Sequence, residues 1–179
     1  MLATTILFSL VAAASASKAL HYTVPTAFKA VANNNCTLPA EFVVTDFTTY
    51  QDKTKGAIST VHFTFLDPDT KIKTTCERNP SSKASGPSRN VYRCDNPYIG
   101  FVYQTTGIAG LTLTEVACPG TGPAGFEAAG LVQPKLICEE SYTETVCSAT
   151  PTKGVFDSLQ PAPPALHPSI RGIRGSRRS

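Results

Sequence analysis

The sequence predicts an all-β protein, a compact antiparallel β-barrel or sandwich stabilised by disulfides. Three observations predict it. Short runs rich in Val, Thr, Phe, Tyr and Ile recur between residues 36 and 147, separated by clusters of Pro, Gly, Asn, Asp and Ser. No ten-residue window carries convincing helical periodicity, the one weak helical pattern being Ala124 to Leu131. Six cysteines, Cys36, Cys76, Cys94, Cys118, Cys138 and Cys147, all lie downstream of a segment that reads as a secretory signal peptide. An even number of cysteines in a chain routed to an oxidising compartment points to a disulfide framework rather than to metal or redox chemistry.

The elements follow in order. Residues 1–16 read as the signal peptide, with an uncharged stretch from Leu2 to Ala14 and Ala14-Ser15-Ala16 as a small-residue cleavage site. The apolar run is shorter than the roughly 20 residues a spanning helix needs, so no membrane association is expected after cleavage. Residues 17–35 form an N-terminal segment, residues 36–147 the disulfide-bonded domain, and residues 148–179 a Pro-rich basic tail. Within the domain the first strand candidate is Glu41 to Thr49, followed by a polar loop from Gln51 to Gly56. In Ser59 to Leu66, period two puts Val61, Phe63 and Phe65 on one face, the expected core face. Asp67-Pro68-Asp69-Thr70 supplies a type I turn into a return strand from Lys71 to Glu77, with Ile72, Thr74 and Cys76 on one face.

After a polar loop from Arg78 to Arg89, short strands are expected at Val91 to Cys94, Ile99 to Thr105, Leu111 to Ala117, Leu131 to Glu139 and Ser141 to Cys147. Pro134 demotes the fourth of these to an edge or forces a bulge. Pro151, Pro161, Pro163, Pro164 and Pro168 interrupt the chain beyond Cys147, so disorder is expected from about Ser148 onward.

Charge narrows the function classes. The formal net charge is +3, but beyond Cys147 five basic residues (Lys153, Arg171, Arg174, Arg177, Arg178) face one Asp157, a net of +4. The rest of the chain is close to neutral, so a basic face for nucleic acid has no support. The Arg-rich end reads as a polyanion-binding arm, as a solvated, inert terminus, or as an incorrectly predicted exon.

Phe42-Val43-Val44-Thr45-Asp46-Phe47-Thr48-Thr49-Tyr50, then Phe63-Thr64-Phe65-Leu66-Asp67-Pro68-Asp69-Thr70, Thr74-Thr75-Cys76 and Tyr92-Arg93-Cys94-Asp95-Asn96-Pro97 occur in that order. This string resembles the family of the Alternaria major allergen, small secreted proteins of filamentous fungi, over roughly Cys36 to Cys147. The resemblance implies an antiparallel β-barrel, an extracellular location, no established enzymatic activity, and a role as allergen, elicitor or effector toward a host extracellular protein. It also implies two cysteine pairs, Cys76 with Cys94 and Cys138 with Cys147. Some relatives join two chains through a cysteine near the mature N-terminus, where Cys36 stands. Cys118 departs from that pattern and allows Cys36–Cys118 closure within one chain, so monomer and homodimer both stay open. Six cysteines allow fifteen connectivities. In the chain-entropy model, closing Cys76–Cys94 contributes roughly 3 kcal/mol, Cys138–Cys147 slightly less, and Cys36–Cys118 about 4–5 kcal/mol.

Catalysis has little to stand on in the residues. Of His21, His62 and His167, only His62 lies within the domain, and no nucleophile motif accompanies it. Its strand phase, opposite Phe63, makes it a solvent-facing histidine. The cysteines lack CxxC spacing for zinc, and no cofactor is expected. Asp67 and Asp69 are explained by turn chemistry, and Glu139, Glu140 and Glu144 by a polar hairpin face. Trp is absent, so a sugar-stacking platform would need Tyr50, Tyr92, Tyr98, Tyr103 or Tyr142. Asn35-Cys36-Thr37 is a glycosylation sequon with Asn35 as acceptor. The expected function is therefore binding, through surface contacts with a host or cell-wall partner. A carrier of a small apolar ligand is the alternative, and a secreted hydrolase a weaker third.

Overall fold

The computed structural model describes residues 19–31, 36–85, 90–119 and 125–162. One short helix, α1 (Thr26–Val31), precedes eleven strands: β1 (Glu41–Asp52), β2 (Ile58–Leu66), β3 (Lys73–Arg78), β4 (Tyr92–Arg93), β5 (Ile99–Gln104), β6 (Gly110–Ala117), β7 (Phe126–Val132), β8 (Leu136–Glu140), β9 (Glu144–Ala149), β10 (Thr152–Val155) and β11 (Ser158–Pro161). They form two antiparallel sheets. One runs β3-β2-β1-β9-β8 with β10 also paired to β1, and the other runs β11-β7-β6-β5-β4. The all-β expectation holds, as a sandwich rather than a closed barrel.

Alternation builds the core. Phe42, Val44, Phe47, Val61, Phe63 and Phe65 from one sheet meet Ile99, Phe101, Leu111 and Leu113 from the other, all with essentially no exposure. The rings interlock edge to face, as between Phe63 and Phe101, whose centroids lie 5.0 Å apart. In β1 the inward residues change from even to odd numbers between Val44 and Phe47. The register with β2 shifts between Thr45 and Thr48, and Asp46 takes a positive φ of 56°. This is a β-bulge, and it is what turns Phe47 inward.

Both flanks of the sandwich are stitched. On one, the Cys76–Cys94 disulfide joins β3 to the residue after β4, and Asp95 N–H donates to Thr75 O at 2.9 Å. On the other, the chain leaves β9, resumes as β10 along the first half of β1, and bends at Phe156 and Asp157 to become β11 beside β7. At that bend Phe156 N–H donates to Ala40 O and Asp157 N–H to Ala129 O, each at 2.9 Å.

The structure corrects three expectations. Residues from Ser148 to Ala162 are not a disordered tail: β10 and β11 lie there, and Phe156 is fully buried against Phe42 with ring centroids 4.9 Å apart. Of the prolines that suggested disorder, Pro151 precedes the β10 ladder and Pro161 ends β11, an edge strand that tolerates proline, while Pro163, Pro164 and Pro168 lie outside the described residues. Gly154 lies against the Phe42 ring so closely that a Cβ would collide with it. Second, the strand expected from Leu131 to Glu139 is broken. Gln133, Pro134 and Lys135 carry the chain from β7 in one sheet to β8 in the other. Third, Ala124 to Leu131 is not helical, since β7 occupies most of it. The signal segment, Asn35, His167 and the arginines from Arg171 onward lie outside the described residues.

Candidate functional site

Two features stand apart from the packed core. The first is the β8–β9 hairpin. β8 ends its sheet, and all five of its residues are exposed. Ile137 is 67% exposed, Leu136 and Val146 are also exposed, and Tyr142 at the hairpin tip is 98% exposed. The register places Ile137 opposite Ser148 and Glu139 opposite Val146, and Val146 opposite Tyr50 of β1. Directly opposed residues share a face, so Glu139, Val146 and Tyr50 form one outward row with Ile137 beside it.

Cross-links hold this hairpin in shape although it contributes little to the core. Cys138 and Cys147 are disulfide-bonded directly across the two strands. Lys53, in the turn after β1, donates from Nζ to Glu140 Oε2 at 3.0 Å and to Ser141 O at 2.8 Å, and its N–H reaches Thr143 O at 2.9 Å. The tip closes through Ser141 N–H to Glu144 O at 2.8 Å and Glu144 N–H to Ser141 Oγ at 3.1 Å. The Tyr50 hydroxyl is held above its usual range by its hydrogen bond to the Glu144 carboxylate. Beside the start of β8, a cleft of about 340 Å³ opens between Tyr103, Gly110, Pro134 and Leu136.

The second feature is buried. Asp67 and Glu115 are 0% and 1% exposed. Asp67 Oδ1 accepts from the N–H groups of Asp69 and Thr70 at 2.6 and 3.0 Å, which organises the turn between β2 and β3. Its other oxygen is buried without a hydrogen-bond partner, as is Glu115 Oε2, and the two carboxyl groups lie close enough to influence each other's protonation. Two buried carboxyl groups so placed disfavour each other's ionisation. Burial, reinforced by the charge of Asp67, pushes Glu115 up to about 8, and burial also raises Asp67. Tyr22, from the segment before α1, lies close enough to feel both charges, and its hydroxyl donates to Pro39 O at 2.6 Å.

From sequence, turn chemistry alone accounts for Asp67, and Glu115 belongs to no motif. A signal was present: Leu111, Leu113, Glu115 and Ala117 share one phase of β6, so Glu115 occupies a core position.

The remaining candidates are dispersed. Cys36 pairs with Cys118, tying the N-terminal segment to the end of β6. His62 stands opposite Thr48 on the outward face of the sheet. Tyr92 and Tyr103 pack on core rings, while Tyr50 and Tyr142 point to solvent, so the tyrosines do not assemble one platform. Among the described residues, no group of three His, Cys, Asp or Glu side chains is placed to hold a metal ion. Neither a family model nor a curated protein matches the chain.

Proposed function

We propose that this is a secreted, non-catalytic binding protein of the fungal allergen or effector type, which engages a host or cell-wall partner through its β8–β9 hairpin. The observation that carries this reading is an edge strand exposed along its whole length, with Ile137, Val146 and Tyr142 turned to solvent, yet cross-linked and anchored. A protein that needed this strand only for stability would bury one of its faces. Exposed apolar side chains on a rigid edge mark an interaction site. Three disulfides and the leader-like first residues support an extracellular setting.

The test is capture from plant apoplastic fluid and from cell-wall polysaccharide by the immobilised protein. Saturable capture that Ile137→Asp reduces about tenfold is the expected result. Capture equal in wild type and variant would overturn the assignment to this surface.

A carrier of a small apolar ligand is the second reading. The cleft beside Tyr103 and Leu136 favours it, while the interior is filled by phenylalanine rings. Mass spectrometry of denatured, freshly purified protein tests it, through the presence of a stoichiometric small molecule.

A further inference from the structure

We infer that β8 binds its partner by strand addition, and that the occupant is an extended segment with two apolar residues and two basic residues separated by one position. The inference rests on the binding role proposed above and specifies its mode.

The backbone defines which groups are open. Cys138 and Cys147 are directly opposed, with Cα atoms 4.0 Å apart. In an antiparallel pair that short spacing belongs to the non-hydrogen-bonded position. The ladder bonds between β8 and β9 therefore fall at Ile137 and Glu139. The N–H and C=O groups of Leu136, Cys138 and Glu140 point the other way, to the edge of the sheet that no described strand covers. They offer an incoming strand a ladder of its own.

The side chains define what that strand carries. Leu136 and Ile137 occupy the first half of β8, and Glu139 and Glu140 the second. Glu144 adds a third carboxylate at the tip, while Lys53 Nζ contacts Glu140 alone among the three. A strand laid antiparallel along the edge sets its N-terminal residues beside the two glutamates and its C-terminal residues beside Leu136 and Ile137. Opposite charges and apolar pairs across strands are favourable, and like charges are not. The fitting order is Lys-Lys-Thr-Val-Val.

A second copy of this chain fits poorly. Twofold pairing about Cys138 would set Leu136 against Glu140 and Ile137 against Glu139 at every position but the centre.

The probe is a fluorescent peptide carrying Lys-Lys-Thr-Val-Val between Gly/Ser flanks, titrated against the mature full chain by anisotropy. Replacing its lysines by glutamates is expected to weaken binding about tenfold or more. The double variant Glu139→Lys with Glu140→Lys is expected to reverse that preference. N-methylation of alternate peptide amides, and separately Glu140→Pro, which removes an edge N–H, are each expected to weaken binding about tenfold. Indifference to both backbone changes, failure of the peptide to bind, or concentration-dependent dimerisation abolished by Glu140→Pro would each overturn strand addition by such a peptide. If apoplastic capture still depended on Ile137 while the peptide failed to bind, the binding role would stand and the mode would fall.

Discussion

Glu115 occupies a place where alternation calls for an apolar side chain, and the chain accommodates it with a proton rather than a counter-ion. The charges nearest it are the carboxylates of Asp67 and Asp69, and the facing positions on β5 and β7 are Ile99 and Ala128. Its titration therefore appears in stability. Between about 4.5, its ordinary value, and about 8, its folded value, the folded protein holds a proton that the unfolded chain has released. Raising the pH through that window draws the equilibrium toward the unfolded state, and Asp67 adds in the same direction. Urea midpoints are expected to be highest near pH 4.5 and to fall toward pH 8, by roughly 3–5 kcal/mol in unfolding free energy. Glu115→Gln removes this ionisation and leaves only the smaller contribution of Asp67, so its stability should fall much less over that range and exceed wild type at pH 8. A wild-type midpoint that rose with pH would contradict the protonated state of buried Glu115. Little of this was legible beforehand. The phase of Glu115 is in the sequence, but its meeting with Asp67 arises only when β6 and the β2–β3 turn are brought together.

Strands are where the sequence spoke most clearly, and prolines are where it misled. Val61, Phe63 and Phe65 alternate strictly, and β2 buries them as that pattern requires. Pro134 was legible as an interruption but not as a change of sheet, because a bulge and a crossover ask the same of one residue. Beyond Cys147 proline density pointed to disorder, although the single ring of Phe156 provides the anchor. Phe156→Ala is expected to cost about 3–5 kcal/mol, and limited proteolysis should then cut within residues 150–162 at protease levels the wild type resists. Gly154→Val should be comparably damaging, since its side chain would enter the space of Phe42. Local and global stability should separate in the hairpin. Replacing Cys138 and Cys147 by serine is expected to erase amide exchange protection across β8, while global stability falls only by the somewhat less than about 3 kcal/mol that closing this short loop contributes.

At the scale of the whole molecule, the three disulfides act on different things. Cys138–Cys147 rigidifies an exposed hairpin, Cys76–Cys94 joins the two sheets, and Cys36–Cys118 spans 82 positions to secure the N-terminal segment. In the chain-entropy model the last contributes most, about 4–5 kcal/mol. Non-reducing peptide mapping should recover these three pairs within one chain, and a peptide joining Cys36 of two molecules would contradict the arrangement. The sandwich core was readable from composition and alternation. How its flanks are closed was not, since that depends on contacts between distant stretches.

The pairing of β10 with β1 also constrains how the protein is made. The first strand to emerge during synthesis keeps half of one edge unsatisfied until nearly the last described residues are available. Folding from the N-terminus onward therefore cannot reach the native sheet. Such long-range closure is slow, and unpaired strand edges invite association with other chains meanwhile. A nascent chain interrupted after β9 would display the very backbone groups of Glu41 to Val44 that β10 normally covers. A chain lacking its last two strands would therefore leave that part of β1 open as an adhesive edge.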